Sequence, residues 1–161
     1  MLTCLDFPRA GDADALLRLF TEAEVREHLG GPLAAAQAAR RVEGILADRS
    51  GQVQAVRPGN DPAGHEAIGL VWLAPHHEEP DPEFSVMLLP EWQVRGHAFR
   101  AGTQVLERAF DELGLSRVVA ETRSANGGCI ALLERLGMRR ESTLWRFGAE
   151  QSLFAIRNPR L

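Results

Sequence analysis

One stretch constrains this chain more than any other: Glu83 to Phe99, which reads Glu-Phe-Ser-Val-Met-Leu-Leu-Pro-Glu-Trp-Gln-Val-Arg-Gly-His-Ala-Phe. An apolar, strand-like run stops at Pro90. A short loop follows, and Gln93-Val94-Arg95-Gly96-His97-Ala98 opens a helix. Gly96 and Ala98 are small enough for the backbone to approach a ligand closely. The first N–H groups of a helix have no partner within it and carry partial positive charge, so this turn has the makings of a phosphate cradle. An ordinary strand-to-helix turn that uses glycine for its shape is the plain alternative.

The rest of the chain supplies a context of strands and helices. Leu2 to Leu5 reads as a short strand. Asp12 is placed to cap a helix running to Phe20, and Thr21-x-x-Glu24 has the form of a capping box opening a second turn that ends at Gly30-Gly31. A longer helix from Pro32 to about Arg49 has Leu33, Ala36, Ala39, Val42 and Ile45 or Leu46 as its expected inner stripe. Gln52–Val56 alternates as a strand does. Ala67–Leu73 is nearly continuous in apolar residues and should be central. Ala74–Pro82 is a polar, acidic loop, and Phe84–Leu89 is the strand that feeds the opening motif.

After Gly96 comes a helix with Ala98, Ala101, Val105, Leu106, Ala109 and Phe110 on one stripe, ended by Gly114. Arg117–Thr122 is the next strand. A helix from Asn126 to Gly137 follows, with Cys129, Leu132, Leu133 and Leu136 aligned. Two strands near 141–146 and 151–156 close the chain. Helices interspersed with a hairpin-containing sheet define an α/β fold with a mixed sheet.

Composition excludes several classes. At 161 residues the chain has the length of one domain, 1–161. A net charge of −4 gives nucleic-acid binding no electrostatic support. No apolar run is long enough for a membrane span, and no secretory leader is evident from Met1 onward. Cys4 and Cys129 form no metal-ligand pattern, so no metal and a reducing, cytoplasmic compartment are expected. All 18 basic residues are arginine, which removes the lysine a Walker A loop requires.

The pattern Gln/Arg-x-x-Gly-x-Gly/Ala at 93–98 resembles the pyrophosphate-binding loop of the GCN5-related N-acetyltransferases (GNAT). The element order is similar along nearly the whole chain. Leu113-Gly-Leu-Ser-Arg-Val-Val-Ala looks like the family's fifth strand. Asn126-Gly-Gly-Cys-Ile-Ala-Leu-Leu-Glu-Arg-Leu-Gly-Met138 looks like its Asn-x-x-Ser…Glu-Lys-Leu-Gly-Phe segment. The RimJ/RimL-type acetyltransferases are the subgroup it resembles most. The resemblance implies a central twisted mixed sheet of about six to seven strands flanked by helices.

It also implies an acetyl-CoA-dependent N-acetyltransferase acting on a primary amine, either a protein N-terminus or a small molecule. An acyl-CoA-binding module with little or no turnover is the alternative. Acetyl-CoA would lie between the splayed fourth and fifth strands, with backbone groups of Val86, Met87 and Leu88 along its pantetheine arm. One N–H there would serve as an oxyanion donor. Gln93, Val94, Arg95, Gly96, His97, Ala98 and Phe99 would cradle the pyrophosphate, and Asn126 and Cys129 would border the cofactor. Arg95 and Arg100 are candidates for its other phosphate.

Glu83 is the candidate base, with an exposed strand-end carboxylate as the plain alternative. Cys129 is the candidate proton donor to the leaving thiolate, or a small packing residue. An ordinary Cys titrates near pH 8.5, and its place near a helix N-terminus is expected to lower that. His76 and His77 are further candidates for the proton chemistry or for lining the acceptor site. Adjacent histidines rarely chelate one ion together, so that run reads as a solvated loop rather than a metal site.

Three departures from the family stand out. Val94 replaces the usual loop glycine and should resist a positive φ. Arg100 stands where an acidic residue is common. Cys129 replaces serine, while Leu133 occupies a position where other branches carry tyrosine. A homodimer is allowed, with Trp145 and the terminal strands either forming its interface or covering the core.

Overall fold

A computed structural model describes residues 2–161; Met1, where the leader reading begins, lies outside them. The described residues form one seven-stranded sheet in the order β1-β2-β3-β4-β5-β7-β6. Its strands are β1 (Thr3–Asp6), β2 (Val53–Pro58), β3 (Gly69–Pro75), β4 (Pro82–Leu88), β5 (Arg117–Arg123), β6 (Arg139–Arg146) and β7 (Ala149–Arg157). The helices are α1 (Ala13–Thr21), α2 (Ala35–Ala47), α3 (His97–Glu107) and α4 (Gly127–Arg135). All neighbouring strands are antiparallel except β4 and β5, which run parallel.

Each sheet face carries its own core because side chains alternate along a strand. Phe84 and Leu88 of β4, with Val118 and Ala120 of β5, pack under Ala101, Val105 and Leu106 of α3 and Leu133 of α4. On the opposite face, Leu70 and Met87 pack against Leu16, Leu19 and Phe20 of α1 and Ala38 and Val42 of α2. As expected, β3 is interior, and its buried run Gly69–Val71 reflects cover on both faces. Gly69 leaves the β4 backbone room to pass, because a Cβ there would lie 2.2 Å from the Met87 carbonyl oxygen.

Four local expectations are corrected. Asp12 does not cap α1 with its side chain. It is fully buried, and its carboxylate takes Nη1 and Nη2 of Arg57 at 2.6 and 2.8 Å and the N–H groups of Arg9 and Ala67 at 2.9 Å. Thr21 ends α1 rather than opening a helix; its hydroxyl donates back to the Leu17 carbonyl at 2.7 Å, and 23–30 are turns. The inner stripe of α2 is Ala38 and Val42, with Ile45 and Leu46 half-buried beside them; Ala36 and Ala39 are exposed, and Leu33 precedes the helix, which begins at Ala35 rather than at Pro32. Trp145 is 75% exposed on β6 and does not cover the core.

Candidate active site

The sheet is interrupted at its one parallel junction. β4 and β5 are in register at a single pair, Glu83 with Val119, whereas β3 and β4 are paired from Gly69–Leu88 through Pro75–Pro82. Beyond that pair the strands part. The opening belongs to a groove of about 660 Å³. Val86, Met87 and Leu88 line it from β4, Ala120, Glu121 and Thr122 from β5, and Asn126 and Cys129 from the start of α4.

At the far end of β4 the chain turns through Pro90–Trp92 into α3, and the loop is tied down from behind. The Gln93 side-chain amide donates to the Leu88 carbonyl at 3.0 Å, and its N–H goes to Pro90 at 3.2 Å. Gly96 has φ of 85°, and a Cβ there would meet Arg100 Nη1 at 2.6 Å, so the position needs glycine. Arg100 wraps the turn, donating from Nε to Thr3 Oγ1 at 2.9 Å and from Nη2 to the Arg95 carbonyl at 3.0 Å. It braces the loop rather than standing free for an anion. Arg95 lies over the Trp92 ring at 5.4 Å.

This bracing leaves a run of donors. The N–H groups of Val94, Arg95, Gly96, His97, Ala98 and Phe99 have no hydrogen-bond acceptor among the described residues. Such a set, at the positive end of a helix, favours an anion. Val94 departs from expectation: it adopts φ of 58° with its side chain fully exposed. The loop's path imposes that conformation, at about 1–2 kcal/mol for an L-residue. His97 contributes backbone only, since its ring is buried with Nδ1 at 2.8 Å from Thr3 Oγ1.

Asn126 caps α4, its Oδ1 accepting the Cys129 N–H at 3.1 Å. Cys129 is half-buried in the wall of the groove. Burial pushes its pKa up, and a hydrogen bond with Thr122 opposes this only in part. The expected lowering by the helix end is therefore reversed: with its thiol beside Thr122, desolvation outweighs it. Leu133 is fully buried in the core beneath α4.

Glu83 does not line the groove. Its Oε2 accepts the N–H of Glu121, across the junction on β5, at 3.2 Å. Burial pushes its carboxyl above the ordinary value; the charge of Glu121 adds to this, while the hydrogen bond from the Glu121 N–H opposes it. His76 is buried, correcting the solvated-loop reading, while His77 is exposed and stacks on it at 4.1 Å between centroids. His76 Nδ1 accepts the N–H groups of Glu78 and Glu79 at 3.0 and 2.8 Å. The neutral ring therefore carries its proton on Nε2 and donates to Glu121 Oε1 at 3.0 Å. Arg146 Nε meets Glu121 Oε2 at 3.0 Å and its Nη1 reaches Glu78 at 2.6 Å.

His76, His77 and Glu121 place potential ligand atoms within 4.8 Å of one another. With Nε2 of His76 protonated, however, this arrangement is a hydrogen-bond network, not a prepared metal site.

Several groove residues were not singled out by sequence reasoning. Arg135 lies over the Phe99 ring at 4.1 Å and lines the groove; its signal was a cation in the last turn of α4. Thr122 and Glu121 read only as alternating strand residues. Glu24, Val25, Glu27, His28 and Leu29, from the turns after α1, also line the groove.

A parallel junction that opens beside a helix N-terminus with unpaired donors offers an elongated slot with a place for an anion at one end. The family model described as Acetyltransferase (GNAT) domain matches residues 3–139, and the chain belongs to that family. The uncharacterized N-acetyltransferase YnaD of Bacillus subtilis is 30% identical over 74 residues, 46% of this chain and 44% of that one. The match thus spans less than half the length of that curated relative.

Among solved structures, a GNAT-family acetyltransferase from Bacillus anthracis superposes with a TM-score of 0.82 at 17% identity, covering 98% of this chain and 96% of its own. The spermidine N-acetyltransferase of Vibrio cholerae, in complex with CoA and spermine, superposes with a TM-score of 0.77 at 18% identity, covering 97% and 95%. At these identities the likeness is one of fold.

Proposed function

We propose that this chain, as one domain over 1–161, is an acetyl-CoA-dependent N-acetyltransferase that transfers the acetyl group directly to a primary amine. The observation that carries the reading is the run of unpaired N–H groups from Val94 to Phe99, opening onto a groove that continues into the gap between β4 and β5. Those N–H groups would hold the pyrophosphate. Arg135 would add a cation at the same end, and Asn126 would offer its free amide. Val86, Met87 and Leu88 would pair with the pantetheine arm, and one of their N–H groups would polarise the thioester carbonyl.

In this scheme Glu83, which stands beside the groove rather than in its wall, takes the proton from the attacking amine through water. A carboxyl raised by burial is a better base near neutrality than an ordinary one. As the new N–C bond forms and the C–S bond breaks, Cys129 gives its proton to the departing sulfur. Its raised pKa keeps the thiol protonated near neutrality, so a proton is present to be given. No metal enters the scheme.

The acceptor we favour is a protein N-terminus, as for RimJ/RimL-type enzymes, or a small-molecule amine in a cytoplasmic setting. A spermidine-acetylating neighbour supports amines as the class. Among the described residues no helix is long and apolar enough to cross a membrane. The exposed outer edge of β6, with Trp145 and Phe147, is the surface we assign to a homodimer.

The test is thiol release from acetyl-CoA in the presence of peptides with free N-termini, polyamines and other primary amines, with mass spectrometry of the products. Acetylated amine and stoichiometric thiol are expected; silence across the panel would sink the reading. Buried Leu133, in place of a tyrosine, supports one alternative, a CoA-binding module without turnover. CoA-induced thermal stabilisation without thiol release would select it.

A further inference from the structure

Glu83 makes a contact that acid–base chemistry does not require. In a parallel ladder, alternate N–H groups of one strand face the same neighbour. Val119 of β5 is paired with β4, so the N–H of Glu121, two residues on, points to β4 as well. A continuous ladder would give it a β4 carbonyl. Its acceptor is instead the side-chain Oε2 of Glu83, at 3.2 Å.

The Glu121 side chain is fixed independently. One oxygen accepts from His76 Nε2, on the β3–β4 connection, at 3.0 Å, and the other forms an ion pair with Arg146, from β6, at 3.0 Å from Nε. The Glu121 side chain is thus fixed from both sides of the junction, and the next ladder position towards β4 is filled by a carboxylate. With that N–H satisfied, the strands have no hydrogen-bonding reason to close the gap.

We propose that Glu83 is a positioning residue for the cofactor slot: its carboxylate oxygen stands in for a β4 carbonyl and wedges the β4–β5 junction open. The proposal rests on the reading that CoA occupies this slot. It assigns Glu83 a role in binding as well as its candidate role as base, and the two are compatible because Oε1 has no protein partner among the described residues.

The two roles separate experimentally. Glu83→Gln keeps a side-chain oxygen that accepts the Glu121 N–H but removes the base. Glu83→Ala removes both and leaves the N–H without its acceptor. CoA affinity is measured by isothermal titration for the wild type and both variants, and exchange of the Glu121 amide by NMR, with thermal melts to establish folding. The wild type and Glu83→Gln are expected to bind CoA within about twofold of each other and to protect the Glu121 amide alike. Glu83→Ala is expected to bind CoA about tenfold more weakly, the scale of one unsatisfied N–H.

Equal CoA affinity in all three proteins overturns the wedge. So does Glu83→Gln with unprotected Glu121, a readout that stands even if Glu83→Ala does not fold. A wild type that binds no CoA defeats the functional reading instead, and the Glu121 amide exchange still judges the wedge.

Discussion

Val94 is the sharpest place to test how the loop's shape is maintained. Its φ of 58° puts a β-branched residue in the left-handed region, and its side chain is fully exposed. Replacement by glycine therefore forfeits no buried apolar area. The left-handed conformation costs an L-residue about 1–2 kcal/mol. Against this, glycine has more freedom to lose on folding, about 0.5–1 kcal/mol. At the middle of each range the difference predicts that Val94→Gly stabilises the protein by about 0.7 kcal/mol. For a chain of this size that raises Tm by roughly 1–3 °C, at about 2–4 °C per kcal/mol. Calorimetry or a circular-dichroism melt measures it, with Val94→Ala as a control that keeps the φ penalty. A Val94→Gly protein melting at or below wild type, or no more stable than Val94→Ala, would refute the strain argument.

Three further outcomes follow from the packing and the buried charges. Asp12→Ala leaves the Arg57 guanidinium buried without its main partner and should cost about 3–5 kcal/mol in urea unfolding. Burial alone would raise the Asp12 carboxyl, but Arg57 and two backbone N–H groups more than offset it and hold the pKa below the ordinary 3.8. Its contribution to stability is therefore complete above pH 3.8 and lost as pH falls through the lower folded value, so wild type should lose more stability than Asp12→Ala across that acid window. Gly69→Ala should destabilise by about 1–3 kcal/mol or more in the same assay, since its Cβ meets the Met87 carbonyl oxygen, which belongs to backbone and cannot swing away. Cys129→Ala should lower kcat by about 10²-fold with CoA affinity unchanged if the thiol donates the proton; an unchanged kcat would leave Cys129 a packing residue.

Much of the cofactor half was legible because its signals are local. Pro90, Gly96, Gly114, Asn126 and Gly137 punctuate periodic apolar runs, and the strands and helices they bound fall within a few residues of their expected places. The segment after α1 was misread because Thr21 and Glu24 satisfy a capping-box spacing while Thr21 instead bonds back to Leu17. Asp12 was misread for a related reason: a cap and a buried ion-pair partner look alike until Arg57, on β2, is brought beside it. The burial of His76 depends on two N–H groups in its own loop and on Glu121 from β5, a conjunction no sequence window contains. Likewise the Glu83–Glu121 contact joins residues far apart in the chain. Long-range polar pairing was the part that periodicity could not reveal.

The single registered pair between β4 and β5 has a mechanical consequence. The backbone ladder is continuous within β1–β4 and within β5–β7–β6, and nearly absent between them. The two blocks are coupled chiefly by side chains, through the shared core of Phe84, Val105, Val118, Leu133 and Phe154 under α3 and α4. The spacing of the blocks is thus set by side-chain volume more than by hydrogen-bond length. A methylene added or removed at Val105 would act as a shim, changing the gap from a position that does not line the groove. Core composition in this fold becomes a way to tune fit between the blocks without altering the loop.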